Sequence, residues 1–121
     1  MARRALLGAN DETVGNMWER VCGLKGYGVV YAQTPEEMVE NAARSQDFSR
    51  YIMDVNFKSG TDIWPGRGVW NMVRTRAEAG EDVKFMAVSG DDRVVDAARE
   101  EGIPVMRKTD FTVQQIIEFL S

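Results

Sequence analysis

Short apolar runs alternate with amphipathic stretches along the chain, and the alternation reads as a strand followed by a helix, five times over. Arg4 to Ala9 is suited to a buried strand, and Val14, Met17, Trp18, Val21 and Leu24 follow at helical spacing within Thr13 to Leu24. Past Gly26-Tyr27-Gly28, the β-branched and aromatic run Val29-Val30-Tyr31 predicts a second strand. Thr34-Pro35-Glu36-Glu37 then supplies an N-cap, a proline in the first helical position and first-turn carboxylates. A helix is predicted from there to about Arg44, burying Met38, Val39 and Ala42. Tyr51 to Val55 is the third strand, with Asp54 where it stops. Asn56 to Gly68 carries three glycines and one proline with little periodicity, longer than a usual strand-to-helix connection. Val69, Trp70, Val73 and Ala77 predict a third helix ending at Gly80, and Val83 to Val88 a fourth strand. Asp91 to Glu101, with Val94, Val95 and Ala98, is the fourth helix, Pro104 to Arg107 a short fifth strand, and Thr112 to Leu120 the last helix, with Val113, Ile116, Ile117 and Leu120.

Strands separated by helices of this length need right-handed crossovers, which predicts an α/β protein: a parallel sheet covered on both faces, a three-layer α/β/α sandwich. In such sheets a site lies beyond the carboxyl ends of the strands, where the strand order reverses. The 121 residues, 44% of them hydrophobic, fit one domain over 1–121 that buries roughly two-thirds of its unfolded surface. The single cysteine, Cys22, can form no internal disulfide, which points to a reducing, cytoplasmic setting. No apolar run approaches 18 residues and Met1 to Gly8 does not read as a signal peptide, so no membrane role is expected. A net charge of −4 opposes direct nucleic-acid binding, which rests largely on Lys and Arg. The absence of histidine excludes a Ser-His-Asp hydrolase, His-ligated zinc and histidine phosphotransfer, leaving carboxylate, hydroxyl and lysine chemistry.

That chemistry stands at the predicted strand ends: Asn10-Asp11-Glu12 after the first, Asp54 at the third, Ser89 after the fourth and Lys108 after the fifth. A parallel sheet brings these positions to one edge although they are far apart in sequence. Clustered carboxylates must protonate or bind a cation, and an all-oxygen set suits Mg²⁺. A carboxylate beside Mg²⁺ can attack a phosphoryl group, with metal, lysine and hydroxyl distributed over the equatorial oxygens.

At these residues the chain resembles the receiver domain of two-component response regulators, of the single-domain kind similar to the chemotaxis regulator, from Arg4 to Leu120. The resemblance implies a flavodoxin-like, doubly wound (βα)5 fold with a five-stranded parallel sheet of order 2-1-3-4-5. It implies Asp54, in Y-I-M-D-V-N-F, as phosphoacceptor and metal ligand, Asp11 as a direct Mg²⁺ ligand, Asn56 as a ligand through its carbonyl, and Asn10 holding the metal through a water. Ser89, in A-V-S-G, would be the switch hydroxyl and Lys108, in V-M-R-K-T, the phosphate-pairing lysine. Asp11 to Asp54 spans 43 residues and Ser89 to Lys108 spans 19, both close to the family's spacing. Three positions depart from it: Asn10 stands where the family usually has the first acid of a pair, Val105 where an aromatic switch residue is common, and Thr109 where proline usually follows the lysine.

The reading that follows is a phosphorylation-dependent switch. A histidine kinase phosphorylates Asp54 with Mg²⁺, and the face of helix four, strand five and helix five alters its affinity for a downstream protein, the chain being a monomer or weak homodimer. Catalysis would be limited to self-phosphorylation and autodephosphorylation, with Asn56 and Asp91, by the resemblance, flanking the attacking water. The alternative, motivated by Asn10, Val105 and Thr109, is a phosphorylation-independent pseudo-receiver that binds its partner constitutively. An aspartate-nucleophile phosphatase is disfavoured because Asn56 stands where that superfamily needs an acid, and a dinucleotide binder because G-A-N-D-E-T-V-G lacks G-x-G-x-x-G. Asp11, Glu12, Ser89, Asp91 and Asp92 also suit helix N-termini, Cys22, Trp18 and Trp70 suit packing, loop-borne Trp64 could cover the site or meet a partner, and Arg67 to Arg76 reads as the solvated face of helix three.

Overall fold

A computed structural model describes residues 3–9, 11–55 and 66–121. The elements are β1 (Arg3–Gly8), α1 (Glu12–Leu24), β2 (Tyr27–Ala32), α2 (Pro35–Arg44), β3 (Phe48–Asp54), α3 (Arg67–Glu78), β4 (Lys84–Ser89), α4 (Asp92–Glu100), β5 (Val105–Arg107) and α5 (Val113–Leu120). The strands form one sheet of order β2-β1-β3-β4-β5, every neighbouring pair parallel, as the strand–helix alternation and the resemblance together predict. Successive side chains of a strand point to opposite faces, and the core divides accordingly. Ala5, Leu7, Ile52 and Val88 face α1 and α5, meeting Trp18, Val21, Cys22, Ile116 and Leu120. Leu6, Tyr51, Met53, Phe85 and Ala87 face the other way, toward Met38 and Ala42 of α2, Val69 and Val73 of α3 and Ala98 of α4. Trp18 sits edge-on to Phe111 with ring centroids 6.0 Å apart, locking the segment before α5 onto α1.

Four helices start on a side-chain cap. Asp11, Thr34, Asp91 and Thr112 accept from the first-turn N–H groups of α1, α2, α4 and α5, whereas α3 has no side-chain cap. At α2 the predicted start is complete: Glu37 N–H donates to Thr34 Oγ1, and Glu37 Oε2 accepts from Gln33 N–H at 2.9 Å. Gly80, with φ 92°, ends α3 where the sequence predicts.

The structure departs from the periodic reading in three places. Met17, Leu24, Val39 and Val113 lie on exposed flanks, while Cys22 is fully buried on the sheet-facing side of α1. The basic stretch of α3 is solvated at Arg67, which forms an exposed fork with Glu101, and at Arg74, but Arg76 turns inward and donates to the carbonyls of Gln46 and Phe48 and to Tyr51. Strand β3 begins at Phe48, three residues before the predicted start, because the register against β1 shifts there. Arg4 pairs with Phe48 and Ala5 with Arg50, leaving Ser49 as an extra residue. The bulge puts Arg50 inside at 1% exposure. Its guanidinium donates to the carbonyls of Ser49, Asp82, Phe119 and Ser121 and to the Asp82 carboxylate, which satisfies the charge.

Candidate functional site

Three parallel strands deliver a polar group each to the carboxyl edge of the sheet. Asp54 ends β3 opposite Val88 of β4, and Val55 N–H continues the ladder to the Val88 carbonyl at 2.9 Å. Ser89 ends β4 beside Arg107 of β5, and Lys108 N–H donates to the Ser89 carbonyl at 2.9 Å. This main-chain pairing aims the lysine at the acid: Lys108 Nζ lies 3.2 Å from Asp54 Oδ2. The two ends of the ion pair differ in access, since the Asp54 side chain is 1% exposed and that of Lys108 is 32% exposed. A carboxylate this enclosed needs compensating charge, and Lys108 supplies it while remaining reachable from solvent. Thr109 follows in a turn in which the Arg107 carbonyl accepts from Asp110 and Phe111 N–H.

Ser89 is fully buried, and its Oγ accepts from Asp91 N–H at 3.0 Å. It therefore shapes the turn into α4, while Asp91 caps the helix and pairs with Arg93. These contacts hold the Asp91 carboxyl below its usual range, the side-chain hydrogen bond from Arg93 being the largest cause. Asp11 likewise caps α1: its Oδ1 accepts from Thr13 and Val14 N–H at 2.9 and 3.4 Å, leaving Oδ2 outside the cap. Asp11 and Asp54 belong to one electrostatic environment. The Tyr31 phenol, which senses both, is pushed up first by burial and then by Glu12, Asp11, Asp54 and Glu19.

These residues bear on the metal as a donor set. Asp54 and Asp11 Oδ2 are hard oxygen donors of the kind Mg²⁺ takes, so their chemistry fits. Among the described residues no group of three or more acidic, histidine or cysteine side chains gathers, and Asn10, Asn56 and Trp64 lie outside the described residues. Among the described residues no helix is long and apolar enough to cross a membrane.

No family model matches the sequence, and no curated protein does. Solved structures match it over nearly its whole length. A response regulator receiver protein from Sinorhizobium medicae superposes with a TM-score of 0.75 at 17% identity, over 98% of this chain and 91% of that one. A CheY-like receiver domain protein from Methanospirillum hungatei gives 0.73 at 16%, over 98% and 90%. A response regulator from Burkholderia pseudomallei, solved with a phosphorylated aspartic acid, a calcium ion and citrate, gives 0.73 at 16%, over 98% of this chain and 66% of that one. The chain has the receiver fold.

Within the receiver fold, the strand-end reading brings Asp54, Ser89 and Lys108 together, and Val105 lies half-buried on β5 against the α2–α4 side of the core. Sequence reasoning missed Tyr31 as anything but a strand residue. Its hydroxyl donates to the Ala9 carbonyl at 2.6 Å, at the point where β1 leaves the sheet toward Asp11. The available signal was faint: a tyrosine at the carboxyl end of a strand predicted next to the acid-bearing one.

Proposed function

We propose that the chain is a phosphorylation-dependent switch of two-component signalling, a receiver domain over 1–121 that takes a phosphoryl group from a histidine kinase onto Asp54. The observation that carries this reading is the buried Asp54 carboxylate held 3.2 Å from the partly exposed Lys108 ammonium at the carboxyl edge of a receiver fold. A carboxylate oxygen of Asp54 attacks phosphorus while the bond from phosphorus to the donor's histidine nitrogen breaks, leaving an acyl phosphate and a neutral imidazole. Lys108, already paired with the nucleophile, shifts onto the new phosphoryl oxygens. Ser89 turns its hydroxyl to the same group, easing its hold on the turn into α4. Asp11 and Asp54, with Asn56 through its carbonyl and Asn10 through a water, would hold Mg²⁺, whose positive charge would offset the negative charge gathered at the site. The α4–β5–α5 face then changes its affinity for a downstream protein, in the cytoplasm and without contact with nucleic acid or membrane. Outside this self-phosphorylation and autodephosphorylation the chain turns over no substrate.

Intact mass after incubation with acetyl phosphate tests the reading. A gain of one phosphoryl group that needs Mg²⁺ and is lost in Asp54→Asn supports it, and uptake persisting in Asp54→Asn overturns it. The second reading, a pseudo-receiver that binds its partner without phosphate, draws on Asn10 and on the engagement of Asp11 Oδ1 in the α1 cap. It predicts no mass gain and no response to beryllofluoride with Mg²⁺.

A further inference from the structure

The loop that carries Asp11 is gripped from outside by one residue. On its strand side, Ala9 is fully buried and both its polar main-chain groups are held by β2: its N–H donates to the Ala32 carbonyl at 3.2 Å, and its carbonyl accepts from the Tyr31 hydroxyl at 2.6 Å. On its helix side, the Tyr31 ring lies against Gly15, one turn into α1, whose N–H donates to the Asp11 carbonyl at 3.0 Å. A Cβ at position 15 would overlap Cε2 of that ring and fall 2.6 Å from its hydroxyl oxygen. Glycine inside a helix costs about 1 kcal/mol against alanine, and the close approach of the phenol accounts for its presence here. Tyr31 thus touches the loop at both ends, fixing the direction in which the chain leaves β1 and the distance of α1 from β2.

We propose that Tyr31 is a positioning residue for the divalent-cation site, clamping the Ala9 carbonyl and Gly15 so that Asp11 is held ready for the metal. This deepens the reading of the chain as a phosphoryl-accepting receiver and rests on it. The hydroxyl makes one short hydrogen bond to a buried carbonyl, so its removal should loosen the loop without removing the packing of the ring.

The test uses Mn²⁺ as the probe, with free ion counted by electron paramagnetic resonance, on the whole chain and its Tyr31→Phe variant. Tyr31→Phe is expected to weaken Mn²⁺ binding by about three- to tenfold, the value of one lost hydrogen bond. The Mg²⁺ concentration for half-maximal phosphoryl uptake from acetyl phosphate should rise by the same factor, and the uptake rate at saturating Mg²⁺ should stay at the wild-type value. Gly15→Ala displaces the ring and should weaken Mn²⁺ binding in the same direction, whereas in a Tyr31→Ala background adding Gly15→Ala should have no further effect. Wild-type Mn²⁺ affinity in Tyr31→Phe overturns the proposal while leaving phosphoryl uptake by the wild type intact. A fall in saturating rate together with melting temperature also overturns it, because the residue then acts through general stability. A wild-type chain that binds no Mn²⁺ and takes up no phosphoryl group overturns the functional reading, and this proposal with it.

Discussion

Lys108 reaches a carboxylate that water barely touches, and the two side chains should be energetically coupled. Lys108→Ala leaves the Asp54 charge without that cation and is expected to destabilise the fold, whereas the same substitution in an Asp54→Asn background removes no opposite charge. A double-mutant cycle read by urea unfolding should give a coupling of about 1–3 kcal/mol. Cys22 behaves in the opposite way, as a group kept neutral. Burial and the nearby Glu19 push its thiol up to about 11, so it should resist alkylation at neutral pH in the native state and react on unfolding. The folded state holds that proton more tightly than the unfolded chain does. Its contribution to stability is therefore complete below the ordinary thiol value and is lost as pH rises through that value toward about 11. Unfolding midpoints measured along that alkaline range should fall more steeply for the wild type than for Cys22→Ala. Asp54, Ser89 and Lys108 were legible because strand ends can be read from apolar runs, and their chemistry is unusual for its place. Tyr31 was not legible, because its importance lies in a hydroxyl meeting a carbonyl 22 residues away in sequence.

Among the elements, α2 was the most readable, since threonine, proline and two glutamates announce its start, and Thr34→Ala should cost about 1 kcal/mol in thermal or urea unfolding. Helix faces were less readable. Spacing identifies an apolar stripe but not its width, and α1 leaves Met17 and Leu24 on the outside because its contact with the sheet is centred on Trp18, Val21 and Cys22. The start of β3 was hidden for a different reason. F-S-R-Y does not alternate in a way that marks a strand, since an extra residue lets Phe48 face α2 and α3 while Arg50 turns toward α5. Arg50→Met is expected to destabilise the protein by about 2–4 kcal/mol, because the carbonyls of Asp82 and Phe119 lose a buried donor. Arg50→Lys should recover little of it, lacking the planar fork that reaches several carbonyls at once. Chemical denaturation of the two variants measures both effects.

Taken as a whole, the molecule separates its work between the two ends of the sheet. The carboxyl edge gathers Asp54, Ser89 and Lys108, with an enclosed acid paired to a partly exposed lysine. The amino edge is tied by arginines: Arg50 joins β3 to the segment before β4 and to α5, and Arg76 joins α3 to the residues that open β3. The polar cluster at the carboxyl ends was implicit in the strand–helix alternation, but the arginine ties depend on the bulge and could not be read from it. The same tie has a consequence for how the protein breathes. Because one guanidinium closes the carboxyl end of α5 onto β3, the last turn of α5 cannot fray without exposing the charge of Arg50, so its amides should exchange with deuterium together with those of β3, in a single cooperative opening. The carboxyl-terminal turn of α5 is thereby fastened to the central strand of the sheet, and its amino-terminal turn is the end left outside that tie.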